Sequence, residues 1–150
     1  MARQPDGYHT LNPILRVGDA AAALGFYKAA FGASEDFRRE MDGKLLIAVI
    51  LIGDSRVMIS DRSNEPAKDF GPETPASSLE LKIYVDDVDA AYRRAIDAGA
   101  TAEEAVGEKY WGERIGSLTD PFGFTWRLAQ FIEEVPHDEI EKRMHADARE

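Results

Sequence analysis

The chain has 150 residues, of which 44% are hydrophobic and 31% charged, a composition that indicates one folded domain and excludes a disordered or fibrous protein. Its 28 acidic and 18 basic residues give a net charge of −10, which disfavours nucleic acid and anionic membrane surfaces as partners. Cysteine is absent, which excludes disulfides and thiolate sites. Because the sequence shows neither a membrane-spanning stretch nor a secretory signal, we expect a cytoplasmic protein.

The first half of the chain is predicted to contain a strand, a helix and three further strands. Asp19 is suited to cap the start of the helix, and Gly32 is suited to end it. Asp42-Gly43 predicts a tight hairpin turn between two strands. The predicted elements are Thr10–Val17, a helix from Asp19 to Phe31, Phe37–Met41, Lys44–Ile52 and Arg56–Ser60.

The second half repeats this order of elements. Val17-Gly18-Asp19 opens the first helix, and Val85-Asp86-Asp87 opens the second helix 68 residues later. The predicted elements are Leu79–Val85, a helix from Asp87 to about Ala98, Ala102–Val106, Arg114–Thr119 and Phe124–Phe131. A repeat of this size predicts two-fold pseudo-symmetry, with a working site where the two copies face each other.

These elements predict an α+β fold. Two tandem βαβββ modules are expected to form a cupped eight-stranded mixed sheet with the helices on its convex side, followed by a C-terminal helix. Each half alone has too few strands to bury its sheet well, so we expect a single domain. The predicted parts are module one at about 9–61, a connector at 62–77, module two at about 78–132 and the C-terminal helix at about 137–148.

The alternation of side chains along the strands predicts which of them face the hollow of the cup. In the strand Leu79–Val85, this set is Glu80, Lys82 and Tyr84, and in the last strand Arg127 belongs to it. The first-module residues predicted to face the hollow are Asn12, Ile14, Arg16, Ile47, Val49 and Met58. Apolar walls with convergent polar groups suit an amphiphilic ligand.

The segment that contains Tyr110 and Trp111 has two interpretations. The aromatic pair beside a glycine could form a mobile rim over the hollow, where flat rings stack on a planar ligand. It could equally be a well-packed hairpin that the Trp side chain covers.

Seven short motifs occur in a characteristic order along the chain. They are Asn12-Pro13-Ile14-Leu15-Arg16-Val17, Phe26-Tyr27-Lys28-Ala29-Ala30-Phe31-Gly32-Ala33, Ile52-Gly53-Asp54-Ser55, Tyr84-Val85-Asp86-Asp87-Val88-Asp89-Ala90, Ala98-Gly99-Ala100-Thr101, Trp111-Gly112-Glu113-Arg114 and Asp120-Pro121-Phe122-Gly123. From about His9 onward, the chain resembles the vicinal oxygen chelate superfamily and, within it, the PhnB-like branch. That superfamily includes glyoxalase I, fosfomycin-resistance enzymes, extradiol dioxygenases and bleomycin-binding proteins.

The resemblance also implies where a metal ion would sit. In metal-dependent members four side chains inside the cup bind a divalent ion, and the corresponding positions here are Asn12, Met58, Glu80 and Arg127. Arginine offers no lone pair, and a thioether is a poor ligand for a hard cation. We therefore expect neither a metal nor another cofactor. Glu80 and Arg127 would instead form an ion pair, unless one of them points to solvent at a strand end.

Two functions of different classes follow from the resemblance. The first is a metal-independent small-molecule-binding protein of the glyoxalase/bleomycin-resistance type, which sequesters an amphiphilic or aromatic ligand whose anionic group is held by Arg or Lys. The second is a glyoxalase-like lyase or isomerase, or a transferase, with Glu80 as general base and Arg127 as charge stabiliser. In a third interpretation, packed side chains close the hollow and no ligand binds. Members are commonly dimers, so a homodimer is implied, in which the connector could permit exchange of modules.

Overall fold

The computed structural model describes residues 4–62 and 79–147, which form eight strands and three helices in the predicted order. The chain divides into two compact units, Met1–Thr74 and Pro75–Glu150. The elements are β1 (Ile14–Val17), α1 (Ala20–Phe31), β2 (Ser34–Met41), β3 (Lys44–Ile52), β4 (Ser55–Asp61), β5 (Glu80–Tyr84), α2 (Val88–Ala98), β6 (Thr101–Lys109), β7 (Glu113–Thr119), β8 (Thr125–Phe131) and α3 (His137–Asp147). The predicted connector at 62–77 lies, apart from Arg62, outside the described residues.

The first unit is a four-stranded mixed sheet with α1 packed on β3 and β4. Its strand order is β1-β4-β3-β2, in which β1 pairs with β4 in parallel and the other pairs are antiparallel. The helix begins where the Asp19 side chain accepts a hydrogen bond from the Ala22 amide at 3.0 Å. It ends at Gly32, whose left-handed φ of 66° suits a residue without Cβ. Tyr27 on this helix is fully buried in the core.

The second unit repeats this topology with the order β5-β8-β7-β6 and with α2 packed on β6, β7 and β8. Asp87 caps α2 through its side chain, which accepts a hydrogen bond from Ala90 at 3.2 Å. The ring of Tyr92 lies over Gly116, where a Cβ atom would come within 2.9 Å of it. The Tyr92 hydroxyl donates a hydrogen bond to the Ser117 carbonyl at 3.1 Å. Gly116 thus allows the helix to approach the sheet closely.

One contact in each unit confirms the internal repeat at atomic level. Asp61, at the end of β4, accepts a hydrogen bond from the Ala20 amide at 3.0 Å. Gln130, near the end of β8, accepts one from the Val88 amide at 3.0 Å. In both units the last strand therefore satisfies a free N–H at the first turn of the helix. The predicted α+β class and the tandem βαβββ modules are confirmed.

Several strand boundaries differ from the prediction. The first strand begins at Ile14 and not at Thr10, because the residues before it form a local turn. Strands β2 and β6 are longer than predicted and lie at sheet edges, with every side chain of β2 exposed. Such strands lack the alternation of buried and exposed positions on which the prediction depended. Among residues 4–62 and 79–147, each helix is too short or too polar to cross a lipid bilayer.

Candidate functional site

The second sheet carries a group of polar side chains on the side opposite α2. Side chains alternate along β5 and β8, so Glu80, Lys82, Tyr84 and Arg127 share one face while Trp126 is buried on the other. The parallel pairing places Lys82 directly beside Arg127. We call this surface the distal face, defined by Glu80, Lys82, Tyr84 and Arg127. All four residues were predicted from the sequence to share a face.

Glu80 and Arg127 form the ion pair that the sequence predicted. Arg127 Nη2 lies 3.1 Å from Glu80 Oε2, and both side chains remain partly exposed. The Nε atom of Arg127 is buried, and no described residue accepts a hydrogen bond from it. An unsatisfied buried donor costs about 1–3 kcal/mol. The rest of the guanidinium remains accessible, since the Arg127 side chain is 34% exposed.

A buried carboxylate, Glu113, organises the rest of the distal face. Its Oε1 atom accepts hydrogen bonds from Lys82 Nζ at 2.9 Å and from Trp111 Nε1 at 2.7 Å. The Tyr84 hydroxyl also interacts with this carboxylate. The Glu113 side chain is only 8% exposed. Lys82, Tyr84 and Trp111 were predicted from the sequence to belong to the site, but Glu113, which contacts all three, was not.

The pKa shifts of Glu113 and Lys82 both favour the charged form of the group. Burial raises the pKa of the Glu113 carboxyl, but hydrogen bonds from Lys82, Tyr84 and Trp111 and the charge of Lys82 outweigh burial, so the pKa lies below its ordinary value. Burial lowers the pKa of the Lys82 ammonium, yet its contacts with Glu113 and Tyr84 raise that pKa above its ordinary value. Both groups are therefore ionised at neutral pH.

Four aromatic residues lie near the charged cluster, and two of them are largely exposed. Lys82 Nζ lies 4.8 Å from the centre of the Tyr84 ring, and 62% of Tyr84 is exposed. Phe131 is equally exposed and pairs across the sheet with Glu113. Phe131 was not predicted to belong to the site, although strand alternation from Arg127 places it on the same face. Tyr110 and Trp111 make an edge-to-face contact with ring centres 4.9 Å apart.

The first sheet brings five of the six predicted first-module residues onto one face. Strand pairing forms one row of Ile14, Met58 and Val49 and a second row that contains Arg16 and Ile47. The four residues that were predicted to form an apolar wall, Ile14, Ile47, Val49 and Met58, thus share one face of the first sheet, and Val49 is buried there. That this face and the distal face line one chamber stays a prediction.

Asn12 does not stand within a strand. Its amide Nδ2 donates to the His9 carbonyl at 2.6 Å, and its Oδ1 accepts from the His9 amide at 3.3 Å. The next residue, Pro13, has no N–H, and its carbonyl accepts a hydrogen bond from Met58 at 3.1 Å. The Asn12 side chain therefore closes a turn before β1, and the placement midway along a strand that the resemblance implied is wrong.

A family model described as the Glyoxalase/Bleomycin resistance protein/Dioxygenase superfamily matches residues 8–128. The chain belongs to this superfamily. It is 41% identical over 140 residues to the uncharacterized protein Mb0911c of Mycobacterium bovis, with 89% of this chain and 91% of that protein covered. The X-ray structure of the Arabidopsis thaliana At5g48480 gene product is 28% identical, with a TM-score of 0.65 and coverage of 81% of this chain and 98% of that chain.

A further similar structure is a superfamily enzyme from Burkholderia phytofirmans PsJN, which supports the fold alone. It has a TM-score of 0.69 at 23% identity and covers 81% of this chain and 97% of that chain.

The residues at the metal-binding positions of this superfamily do not fit a metal ion here. Arg127 has no lone pair, and its charge already neutralises Glu80. Met58 offers a thioether, and both polar atoms of the Asn12 amide are used in a local turn. Within the described residues, no three His, Asp or Glu side chains come together in a way that could hold a metal.

Proposed function

We propose that this member of the superfamily is a metal-independent binding protein that sequesters an aromatic or amphiphilic anion. We place it in the PhnB-like branch on its sequence motifs, in the cytoplasm and as a homodimer. The ligand binds on the distal face of the second module.

The partly exposed guanidinium of Arg127, beside the ammonium of Lys82, is the observation that carries this proposal. The Arg127 side chain is 34% exposed, and Lys82, whose side chain is 36% exposed, presents an ammonium group on the adjacent strand. A carboxylate placed here accepts from the guanidinium in a charge-assisted hydrogen bond and is attracted by the ammonium. The two cationic groups together are thereby the binding determinant for an anion.

The aromatic part of the ligand is inferred from the rings around the charged cluster. Tyr84 and Phe131 are both largely exposed on the same face, and Trp111 is held beside them by Glu113. Exposed aromatic side chains next to a charged cluster offer flat surfaces on which a planar group stacks. An aryl carboxylate therefore matches both the cationic groups and the aromatic rings of the site.

The hydrogen-bond pattern supports binding more than turnover. A general base must be free to accept a proton from the substrate. Glu113 is buried and receives hydrogen bonds from several donors, and its pKa is lowered. Glu80 is already paired with Arg127, because its Oε2 atom lies 3.1 Å from Arg127 Nη2.

Titration with 2-naphthoate, a fluorescent aryl carboxylate, tests the proposal. We expect saturable binding to the wild-type protein and much weaker binding of the neutral isostere 2-naphthamide. Arg127→Met should weaken 2-naphthoate by about tenfold to a hundredfold, the effect of losing a charge-assisted hydrogen bond.

Arg114→Met is the matched control for this experiment. Its guanidinium binds Asp89 on α2 through two contacts of 2.9 Å, away from the distal face, so the variant loses the same charge but should bind 2-naphthoate as the wild type does. Equal affinity of the Arg127 variant and the wild type for 2-naphthoate would refute the role of Arg127.

A further inference from the structure

The turn between β6 and β7 is anchored on one side by the C-terminal helix. Arg143 of α3 donates from Nη1 to the Tyr110 carbonyl at 3.0 Å. This carbonyl belongs to the peptide group that joins Tyr110 to Trp111, so the contact fixes the peptide plane from which Trp111 extends. The same guanidinium lies 3.2 Å from Glu139 and 3.6 Å from Glu133. It therefore connects the helix, the turn and the segment that follows β8.

The backbone of the turn is also held directly by that following segment. The Gly112 carbonyl accepts hydrogen bonds from Ile132 at 2.9 Å and from Glu133 at 3.1 Å. Gly112 has a φ of 92°, and a Cβ atom there would lie 2.1 Å from the Glu133 carbonyl oxygen. The turn thus has little freedom to shift away from the C-terminal segment.

On its other side, the turn reaches the distal face through Trp111. The indole N–H donates to Glu113, which also binds Lys82. A continuous chain of contacts therefore runs from Arg143 through the Tyr110 peptide group to Trp111, Glu113 and Lys82.

We propose that Arg143 is a positioning residue for the ligand site, which places Trp111 against Glu113 without touching the ligand. This inference rests on the proposed function in that Trp111 and Lys82 belong to the site. The C-terminal helix then determines the geometry of the turn that carries Tyr110 and Trp111.

The two tryptophans provide an internal reference for the test. Trp111 donates its indole N–H to Glu113 at 2.7 Å, and the buried Trp126 donates its own to Asp120 at 2.8 Å. In a ligand-free ¹H–¹⁵N NMR spectrum, with Trp111→Phe used to assign the signals, Arg143→Met should move the Trp111 indole resonance and leave that of Trp126 in place. Arg93→Met removes the same charge from the exposed surface of α2 and should move neither.

Arg143→Lys keeps the positive charge and one donor nitrogen, so it should shift the Trp111 resonance less than Arg143→Met does. It also provides a measurable variant if Arg143→Met does not fold. In 2-naphthoate titrations, Arg143→Met should raise Kd about threefold to tenfold, and Arg143→Lys should restore part of the loss. An unmoved Trp111 resonance, or equal shifts of both tryptophans, would overturn the positioning role. A wild-type protein that does not bind 2-naphthoate, with the Trp111 shift still observed, would overturn only the proposed ligand class.

Discussion

Arg127 Nη2 and Glu80 Oε2 lie 3.1 Å apart across two parallel strands of the second sheet. Because both side chains are partly exposed, the pair contributes only about 0–1 kcal/mol to stability. Its larger effect is on the charge that the distal face presents to a ligand. The carboxylate competes with an incoming anion for the same guanidinium.

Replacing Glu80 should therefore strengthen the binding of an anion. We expect Glu80→Gln to lower the Kd of 2-naphthoate by about twofold to fivefold, since the competing charge is removed. Fluorescence titration measures this change, and 2-naphthamide should show no comparable gain. If Glu80 acts instead as a general base, the same variant gains no such affinity and loses turnover of whichever substrate the protein converts.

Glu113 should make stability depend on pH in the acidic range. Its folded-state pKa lies below the ordinary 4.5, so its stabilisation is present above about pH 4.5 and is lost as the pH falls through the folded-state pKa. Glu113→Gln should reduce the free energy of unfolding by about 1–3 kcal/mol near neutral pH, because the charge on the acceptor of Lys82 and Trp111 is lost. The difference from wild type should shrink on acidification.

Urea unfolding from about pH 7 to about pH 3 measures this difference. Glu141→Gln, on the exposed surface of α3, is the control and should follow the wild-type curve. A Glu113→Gln curve that runs parallel to the wild-type curve throughout would contradict the assignment.

Gly112 should tolerate no side chain. Its φ of 92° alone makes a residue with a Cβ about 1–3 kcal/mol less stable, and the contact with the Glu133 carbonyl adds to this. Gly112→Ala should thus lower the melting temperature by several degrees. Gly107→Ala is the matched control, since a Cβ atom there meets nothing within 4 Å, and its effect should be small. Equal melting temperatures of the two variants would show that the turn is not constrained as described.

The repeated contact between last strand and helix predicts a loss of stability in each of the two modules when its acceptor is removed. Asp61→Ala and Gln130→Ala each leave a helix N–H without its acceptor, which should cost about 1–3 kcal/mol in chemical unfolding. The loss should be larger for Asp61, because its charge also interacts favourably with the helix N-terminus. Asp54→Ala, in an exposed turn, should change stability by less than about 0.5 kcal/mol. A loss confined to one module would show that the two contacts are not equivalent.

The sequence predicted those parts of the fold in which local chemistry and tertiary structure agree. Asp19 and Asp87 begin the helices as expected, because an N-cap is satisfied by its own neighbours. Strand alternation correctly placed Glu80 and Arg127 on one face. The first strand was predicted to begin too early in the chain. The turn formed by His9 and Asn12 depends on a side-chain contact, which a pattern of apolar residues does not reveal.

Glu113 was missed for a different reason. Its role depends on Lys82, which lies 31 residues away in the chain and approaches only when β5 and β7 join the same sheet. The one local signal is the spacing of Trp111 and Glu113 across a glycine, which leaves the indole close enough to bond the carboxylate. The contact of Arg143 with Tyr110 likewise spans 33 residues and has no local signature.

In the function that we propose, an anion binds to this protein without a metal ion. Calorimetric titration of 2-naphthoate into the wild-type protein tests it most directly, first after dialysis against EDTA and then with added Zn²⁺, Ni²⁺ or Mn²⁺. We predict the same Kd in every case and no stoichiometric metal in the purified protein. Binding that is lost with EDTA and restored by one of these ions would contradict the claim.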